Sequence, residues 1–504
     1  MTVLVNPKAL TSQARDFKML IDGQWIEGNG APIDRLAPSH GVVVSRFQAG
    51  TKADAERAIS VARKAFDAGP WPQMTASERS AILLKAADLI ADRAEELAYL
   101  DAIEAGKPIS QVRGEIAGSV DIWRYAAALA RDLHGESYNT LGDGTLGVVL
   151  REAVGVVSII TPWNFPFLIV GQKLPFALAA GCTTVVKPSE LSSGSTIVLG
   201  EILMEAGVPA GVVNIVTGTG AEVGSIMTSH PHVDMVSFTG STGVGKLTMA
   251  NAAQTLKKVS LELGGKNPQI VFPDADLDSF IDAAVFGAYF NAGECCNAGS
   301  RLILHKSIAD DVVARVAALA KKVRVGDPLD PSTQVGAIIT PQHFEKISGY
   351  VRGAASNGAE VHGGESLDLG MGQFMSPTIL SGVTPGMAVA REEVFGPVLS
   401  VLTFETTAEA IEIANSIDYG LSASVWSKDF DTCLTVGRNV RAGTIWMNTF
   451  MDGASELPFG GYKQSGLGRE LGRHAVEDYT ETKTLNMHIG GRTNWWMPQT
   501  EKLA

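Results

Sequence analysis

Between residues 154 and 264, short apolar runs alternate with longer stretches whose apolar positions recur at helical spacing. Residues 154–160 are continuously apolar, and 183–186, 212–216 and 233–238 repeat that character. Residues 173–180, 195–206 and 244–253 between them read as helices. Strands that are apolar on both faces and separated by helices predict a parallel sheet covered on both sides. Ligands bind at the carboxyl ends of such strands. Asn164, Lys187, Ser241 and Glu262 all fall just past predicted strand ends, as a shared crevice requires.

Residues 52–68 and 77–104, rich in Ala and in charges at helical spacing, predict helices packed around this sheet. After Glu262 the alternation restarts, with helices over 280–290 and 309–323 and strands over 301–305 and 444–448, so a second α/β domain is expected. Two pieces belong to neither core. Residues 147–152 form a short apolar strand behind the turn Leu141-Gly142-Asp143-Gly144, and 482–489 alternate, with Leu485, Met487 and Ile489 on one side. An apolar strand left at an exposed edge is expected to be covered by a partner, ordinary intrachain sheet being the other reading.

The 504 residues, 45% of them hydrophobic, are enough for two or three domains with sizeable cores. A formal charge of −13 argues against a nucleic-acid partner, which needs clustered Lys and Arg. Four cysteines are too few for a disulfide framework and fit a reducing compartment. The first residues lack the basic start and apolar core of a secretory signal, and no apolar run approaches the roughly 20 residues that span a bilayer. A cytoplasmic protein with no membrane partner is expected. There is no fixed-period repeat and no low-complexity stretch.

The stretch from Asn291 to Arg301 (Asn-Ala-Gly-Glu-Cys-Cys-Asn-Ala-Gly-Ser-Arg) sets two cysteines between glycine turns just after an apolar helical run. Thiolate chemistry needs a cysteine presented by a tight backbone, although Cys295 and Cys296 read equally well as small core hydrophobes. Glu262 ends an apolar strand before Gly264-Gly265, where an apolar neighbourhood suits a carboxylate to general-base work, with a water-facing strand end as the alternative. Asn164 lies between Trp163 and Phe165 where a β-run stops, so its amide is a candidate donor to a developing oxyanion. Gly240-Ser241-Thr242-Gly243-Val244-Gly245 joins a strand to a helix and offers backbone N–H groups to a pyrophosphate, without being the G-x-G-x-x-G fingerprint.

Pro162-Trp163-Asn164-Phe165-Pro166, Lys187-Pro188-Ser189-Glu190, Phe238-Thr239-Gly240-Ser241-Thr242, Glu262-Leu263-Gly264-Gly265-Lys266, Cys296 before Asn297-Ala298-Gly299-Ser300-Arg301, and Glu393-Val394-Phe395-Gly396-Pro397 follow one another in this order. The set resembles the NAD(P)-dependent aldehyde dehydrogenases, and the resemblance runs from about residue 20 to about residue 490. It implies an aldehyde dehydrogenase-like α/β fold: two doubly wound α/β domains plus a small β oligomerisation flap. The NAD-binding domain would comprise 1–134 and 154–263, the catalytic domain 264–465, and the flap 135–153 and 480–504, with assembly into a homodimer or homotetramer.

The same resemblance implies covalent catalysis. Cys296 attacks the aldehyde, Asn164 and the Cys296 N–H stabilise the oxyanion, and Glu262 activates the water that hydrolyses the thioester; Cys296 is preferred to Cys295 by its register to Ala298-Gly299-Ser300-Arg301. Lys173 and Glu470 match positions that pass protons to bulk water, a surface salt bridge being the other reading. Thr161, Trp163, Lys187, Glu190, Gly240, Ser241, Gly245, Leu263, Glu393 and Phe395 would bind the cofactor. Lys187 and Glu190 take the adenosine ribose, Ser241 the pyrophosphate, Glu393 the nicotinamide ribose, and Phe395 flanks the nicotinamide. The Glu190 carboxylate favours NAD over NADP. No metal is implied.

Phe165, Ile169, Gln172, Cys295, Asn297, Asp452, Glu456 and Phe459 would line the substrate tunnel. Many relatives carry Trp where Gln172 stands, and Asp452 and Glu456 add negative charge near the entrance. A cationic aldehyde, such as an aminoaldehyde or betaine aldehyde, is one reading; merely solvated acids is the other. A CoA-acylating enzyme is disfavoured by Glu262, and a non-catalytic binding protein by Cys296, Asn164 and Glu262 together.

Overall fold

The structure, a computed structural model, describes residues 14–370, 372–490 and 496–497. Its first sheet has eight strands in the order Gly466–Leu467, Lys258–Glu262, Met235–Thr239, Val156–Ile160, Thr183–Lys187, Val213–Ile215, Met19–Ile21, Gln24–Ile26. The five central strands are parallel, and antiparallel strands close both edges. Every residue of Val156–Ile160 and Thr183–Lys187 is buried, because helices cover both faces. The pairings Ile160 with Lys187 and Thr239 with Glu262 bring four strand ends to one rim. Asn164, Lys187, Ser241 and Glu262 therefore issue from the same side of the sheet.

The helices start where local chemistry satisfies their free N–H groups. Thr51 with Asp54 and Thr75 with Glu78 form capping boxes at Lys52–Ala68 and Ala76–Asp92. Gly181 and Gly207 end Pro166–Ala180 and Gly194–Ala206 in the left-handed conformation, at φ 98° and 105°.

Several boundaries differ from the sequence reading. The helix expected from residue 173 begins at Pro166, since proline at the first helical position gives up an N–H that has no partner there anyway. The stretch 77–104 is two helices, Ala76–Asp92 and Ala94–Ala105, broken at Arg93. A 24-residue helix, Ile109–Asp132, was not anticipated. Its buried face carries Ile109, Val112, Ile116, Val120 and Trp123 at helical spacing, and it packs closely on Ala76–Asp92 and Pro166–Ala180. The helix expected to reach residue 323 ends at Ala320.

The second sheet has seven strands in the order Glu360–His362, Thr378–Ser381, Val398–Phe404, Arg301–His305, Pro268–Val271, Ser422–Trp426, Thr444–Met447. All its pairings are parallel except that of the edge strand Glu360–His362. The chain then returns to the first sheet, where Gly466 pairs antiparallel with Glu262. Both sheets are thus doubly wound α/β units.

A separate three-stranded sheet pairs Thr480–His488 with Thr145–Ala153 and places Glu136–Tyr138 outside. Leu485, Met487 and Ile489 are exposed on it. Part of the expected 480–504 flap lies outside the described residues. Among the described residues no helix is long and apolar enough to cross a membrane.

Candidate active site

The helix Leu277–Tyr289 does not run on into the cysteine segment. Asn291, Ala292 and Gly293 follow it with φ of 51°, 56° and 69°, three consecutive left-handed residues that reverse the chain. Left-handed geometry at Ala costs roughly 1–2 kcal/mol, so the surroundings must impose it. They do so with hydrogen bonds. The Asn291 side chain donates to the main-chain oxygens of Asn164 (3.0 Å) and Glu294 (2.9 Å), and its N–H donates to Gln111 Oε1 (3.2 Å). Gly293 lies so close to the backbone of Gly396 that a Cβ there would stand 2.1 Å from the Gly396 oxygen.

Beyond the reversal, Asn267 Nδ2 donates to the carbonyls of Cys296 (2.7 Å) and Ala298 (3.0 Å), while its Oδ1 accepts the Ser422 N–H. This fixes the register of the two cysteines. Cys296 is half-buried and lines a cleft of about 230 Å³, whereas Cys295 is buried against Phe165, Ile169 and Ala298. The Cys296 thiol is pushed well above its ordinary value by its hydrogen bond with Cys295, by burial and by the charge of Glu393. A thiol raised in this way gives up its proton less readily than a free cysteine.

Asn164 faces this cysteine from the first sheet and is 3% exposed. Its carbonyl accepts from Lys107 Nζ (2.7 Å) as well as from Asn291, and its Nδ2 spends one hydrogen on the Glu294 carbonyl (3.0 Å), leaving the other to donate. Glu262 is 5% exposed, and neither carboxylate oxygen has a protein hydrogen-bond partner. Burial and the negative charge of Glu470 raise its pKa well above the usual carboxylate range, against the opposing pull of Lys173. Gly460 leaves the room this carboxylate occupies, since a Cβ there would lie 2.8 Å from Glu262 Oε1.

Lys173 and Glu470 are not a surface pair. Their side chains are 0% and 3% exposed and 2.5 Å apart, and Lys173 also donates to Ser237 Oγ (3.0 Å), which accepts from the Tyr479 hydroxyl as well (3.2 Å).

On the other side of Cys296 the cleft is lined by Pro162, Trp163, Thr239, Gly240, Ser241, Leu263, Gly264, His343, Lys346, Glu393 and Phe395. Ser241 caps the helix Thr242–Ala253, and the Gly240 N–H donates to the Glu262 carbonyl (3.0 Å). Gly245 packs directly under Leu263, where a Cβ would meet the leucine at 2.4 Å. Glu393 accepts from the Gly265 N–H (3.0 Å), and burial lifts its pKa to about 7. Phe395 is left-handed (φ 59°); its carbonyl accepts from His343 Nε2 (2.6 Å), and the rings of Trp163, His343 and Phe395 meet edge to face.

One strand along the rim, Lys187 is buried, 3.6 Å from Glu190, and donates to the Pro188 carbonyl. Burial lowers its pKa while Glu190 raises it. The Thr161 hydroxyl is buried without a partner. A helix N-terminus, a lysine with donors to spare, a carboxylate and an orphaned hydroxyl along one rim fit an elongated cofactor carrying phosphates and ribose hydroxyls.

On the side away from that rim, Phe165, Ile169 and Cys295 form one apolar cluster with Ala298, Leu168, Phe290 and Met451. Gln172 is half-buried one turn beyond Ile169, Asn297 is half-buried next to Cys296, and Phe459 exchanges main-chain hydrogen bonds with Glu470. Asp452 and Glu456 are exposed. Asp452 follows Met451 and accepts from the Thr449 hydroxyl, and Glu456 lies near Tyr125.

Sequence reasoning missed Phe290, His343, Lys346, Asn267, Glu294 and Lys107. Phe290, which stacks on Phe165 at 6.0 Å, was legible as an aromatic next to the cysteine segment. The others are polar residues whose place depends on contacts from distant segments.

Over residues 25–485 the chain matches the family described as the aldehyde dehydrogenase family. It is 42% identical to aldehyde dehydrogenase family 2 member C4 of Arabidopsis thaliana, across 94% of this chain and 95% of that protein. It is 41% identical to betaine aldehyde dehydrogenase of Bacillus subtilis, across 95% and 99%. The crystal structure of an NAD-dependent aldehyde dehydrogenase from Sinorhizobium meliloti superposes with a TM-score of 0.96 at 49% identity, covering 99% of both chains.

The glycine at the end of the reversal gives a first prediction. Gly293→Ala forces the cysteine segment off the Gly396 backbone, so alkylation of Cys296 by iodoacetamide and turnover should both fall, turnover on the order of 100-fold. Gly353→Ala, at a helical position with open space around it, should change neither. Normal turnover in Gly293→Ala would show that the reversal does not set the cysteine.

Proposed function

The chain belongs to the aldehyde dehydrogenase family and oxidises an aldehyde to a carboxylic acid with NAD, and from that premise we propose how its residues divide the work. Cys296 is the nucleophile. Its sulfur adds to the aldehyde carbon, and the oxyanion of the resulting thiohemiacetal accepts from the free Asn164 amide hydrogen and the Cys296 N–H. The thiol proton goes to Glu262, whose raised pKa makes its ionised form a strong enough base for a reluctant thiol. Bound NAD supplies the hydride acceptor, and a thioester remains on Cys296. Glu262 then takes a proton from the water that attacks the thioester, the carboxylic acid leaves, and the proton passes toward Glu470 and Lys173. The observation that carries this reading is the buried, unpartnered Glu262 carboxylate, influenced by the Cys296 thiol, in a site where Asn164 keeps a free donor.

For the cofactor, Lys187 and Glu190 would take the adenosine ribose hydroxyls, and Gly240 and Ser241 at the helix N-terminus the pyrophosphate. Thr161, Trp163, Gly245 and Leu263 shape the walls between them. Glu393 would hold the nicotinamide ribose, with Phe395 at the ring. We assign residues 1–134 and 154–263 to cofactor binding, 264–465 to catalysis, and 135–153 with 480–504 to a flap that joins subunits in a homodimer or homotetramer. The exposed Leu485, Met487 and Ile489 on that sheet, and the exposed Val244, Leu247 and Met249 on one helix, support assembly. Four free cysteines support a cytoplasmic setting.

The substrate we propose is a cationic amino- or betaine aldehyde. Relatives bearing those names, from Bacillus subtilis and Zea mays, are 41% and 40% identical. Phe165 and Phe290 offer an apolar wall for the carbon shell of such a cation, and Asp452 and Glu456 supply negative charge nearby.

The decisive experiment separates acylation from hydrolysis. Cys296→Ala should abolish NADH formation while leaving NAD affinity nearly intact. Glu262→Gln should leave a burst of NADH followed by slow turnover, provided acylation proceeds. Wild-type turnover should climb as pH rises through the elevated Glu262 pKa, because only the carboxylate accepts the proton; steady-state turnover of Glu262→Gln equal to wild type would remove Glu262 from this role. A carboxylate at the ribose repels a 2′-phosphate, so Glu190→Gln should weaken NAD and improve relative use of NADP, as read in the ratio of kcat/KM. An unchanged ratio would take Glu190 off the ribose. Replacing Asp452 by Asn and Glu456 by Gln should raise KM for an aminoaldehyde about several-fold, more at low salt, and spare a neutral aldehyde of similar length. Equal effects on both substrates would end the cationic reading.

A further inference from the structure

Behind the reacting groups, on the side away from cofactor and substrate, lies a buried cation that the mechanism above does not use. Lys107 sits between the helices Ala94–Ala105 and Ile109–Asp132 and is 2% exposed. Gly106, left-handed at φ 76°, turns the chain inward there. The Lys107 ammonium has three partners. It is 2.8 Å from the Glu115 carboxylate, itself buried; it donates to the Asn164 carbonyl at 2.7 Å; and it stands 3.6 Å from the centre of the Phe165 ring. Two of those contacts fall on consecutive residues, one the oxyanion donor and the other the tunnel wall.

Asn164 is tied on its opposite side as well. Its carbonyl accepts from Asn291, Asn291 also donates to the Glu294 carbonyl, and that carbonyl accepts from Asn164 Nδ2. This closed ring fixes one hydrogen of the Asn164 amide and thereby aims the other. A ring of three neutral hydrogen bonds can still tilt as a unit. The charge-assisted bond from Lys107 fixes the point about which it would tilt.

We propose that Lys107 is a positioning residue for the oxyanion pocket, holding the main chain of Asn164 and the ring of Phe165 so that the free Asn164 amide hydrogen points at the carbonyl oxygen of the substrate bound to Cys296. This rests on the reading of Asn164 as an oxyanion donor. Lys107 touches neither substrate nor cofactor, so its loss acts through Asn164.

Removing Lys107 alone leaves the Glu115 carboxylate buried and unpaired, so the test uses Lys107→Met with Glu115→Gln, which neutralises both positions. Two rates and one equilibrium are read on the full-length enzyme: NADH formation in the first turnover, alkylation of Cys296 by iodoacetamide, and NAD affinity. Alkylation displaces iodide and builds no oxyanion, so it does not need the pocket. The double variant should lose about tenfold or more in the first-turnover rate, with NAD affinity and alkylation within about twofold of wild type. Lys107→Arg, which keeps a charge and a donor, should recover part of the loss. Combined with Asn164→Ala, the double variant should cost little beyond Asn164→Ala itself, since both remove the same interaction. A first-turnover rate near wild type, a loss that adds fully to that of Asn164→Ala, or an equal fall in alkylation would overturn the proposal. A normal first turnover in Asn164→Ala would instead overturn the oxyanion assignment and take this proposal with it.

Discussion

The site depends on the ring of hydrogen bonds that joins Asn164, Asn291 and Glu294. It links the two α/β units at the point where their chemistry must meet, since Asn164 leaves the end of a strand in the first sheet while Asn291 and Glu294 belong to the reversal that carries the cysteines. Neither unit alone contains Cys296, Glu262 and Asn164 together. The left-handed run at Asn291, Ala292 and Gly293 is strained by itself, and the Asn291 side chain bonded across the junction is what holds it. Local strain and interdomain contact are therefore the same constraint.

Around that junction, burial decides the proton inventory. Glu262, Glu294 and Glu393 all have their pKa values lifted by desolvation, and the Cys296 thiol is raised as well. Raised in this way, each group binds a proton more tightly than it would in water. The Lys173–Glu470 pair, sealed with Ser237 and Tyr479, pulls on the Glu262 carboxylate in opposite directions, Glu470 raising its pKa and Lys173 lowering it. An exposed pair would be screened by water.

Much of the first sheet was legible because its strands are short, continuous apolar runs between helical stretches, a signal that needs no tertiary knowledge. The alignment of Asn164, Lys187, Ser241 and Glu262 on one rim followed from parallel strands of similar length. Helix Ile109–Asp132 carries a signal of the same kind, with Ile109, Val112, Ile116, Val120 and Trp123 at helical spacing, and went unread all the same. Lys107 escaped for a physical reason. In sequence it is a charged residue beside a glycine and a proline, the signature of a surface turn, and only the packing of three helices buries it. His343 and Lys346 stand in the first turns of a polar helix, and His343 reaches the cleft by bonding a residue 52 positions away. The aldehyde dehydrogenase resemblance supplied what periodicity lacked, namely which cysteine faces the cleft.

The return of the chain to its first sheet has a consequence in time. Glu262 is flanked by Gly460 and paired with Gly466, residues made some two hundred positions after it. On a translating ribosome Asn164 and Cys296 emerge long before the segment that walls in Glu262. A nascent or prematurely terminated chain would carry Cys296 and Asn164 without the segment that encloses Glu262. The order of synthesis makes closure of this site a late event, completed only when the strand Gly466–Leu467 is laid beside Glu262.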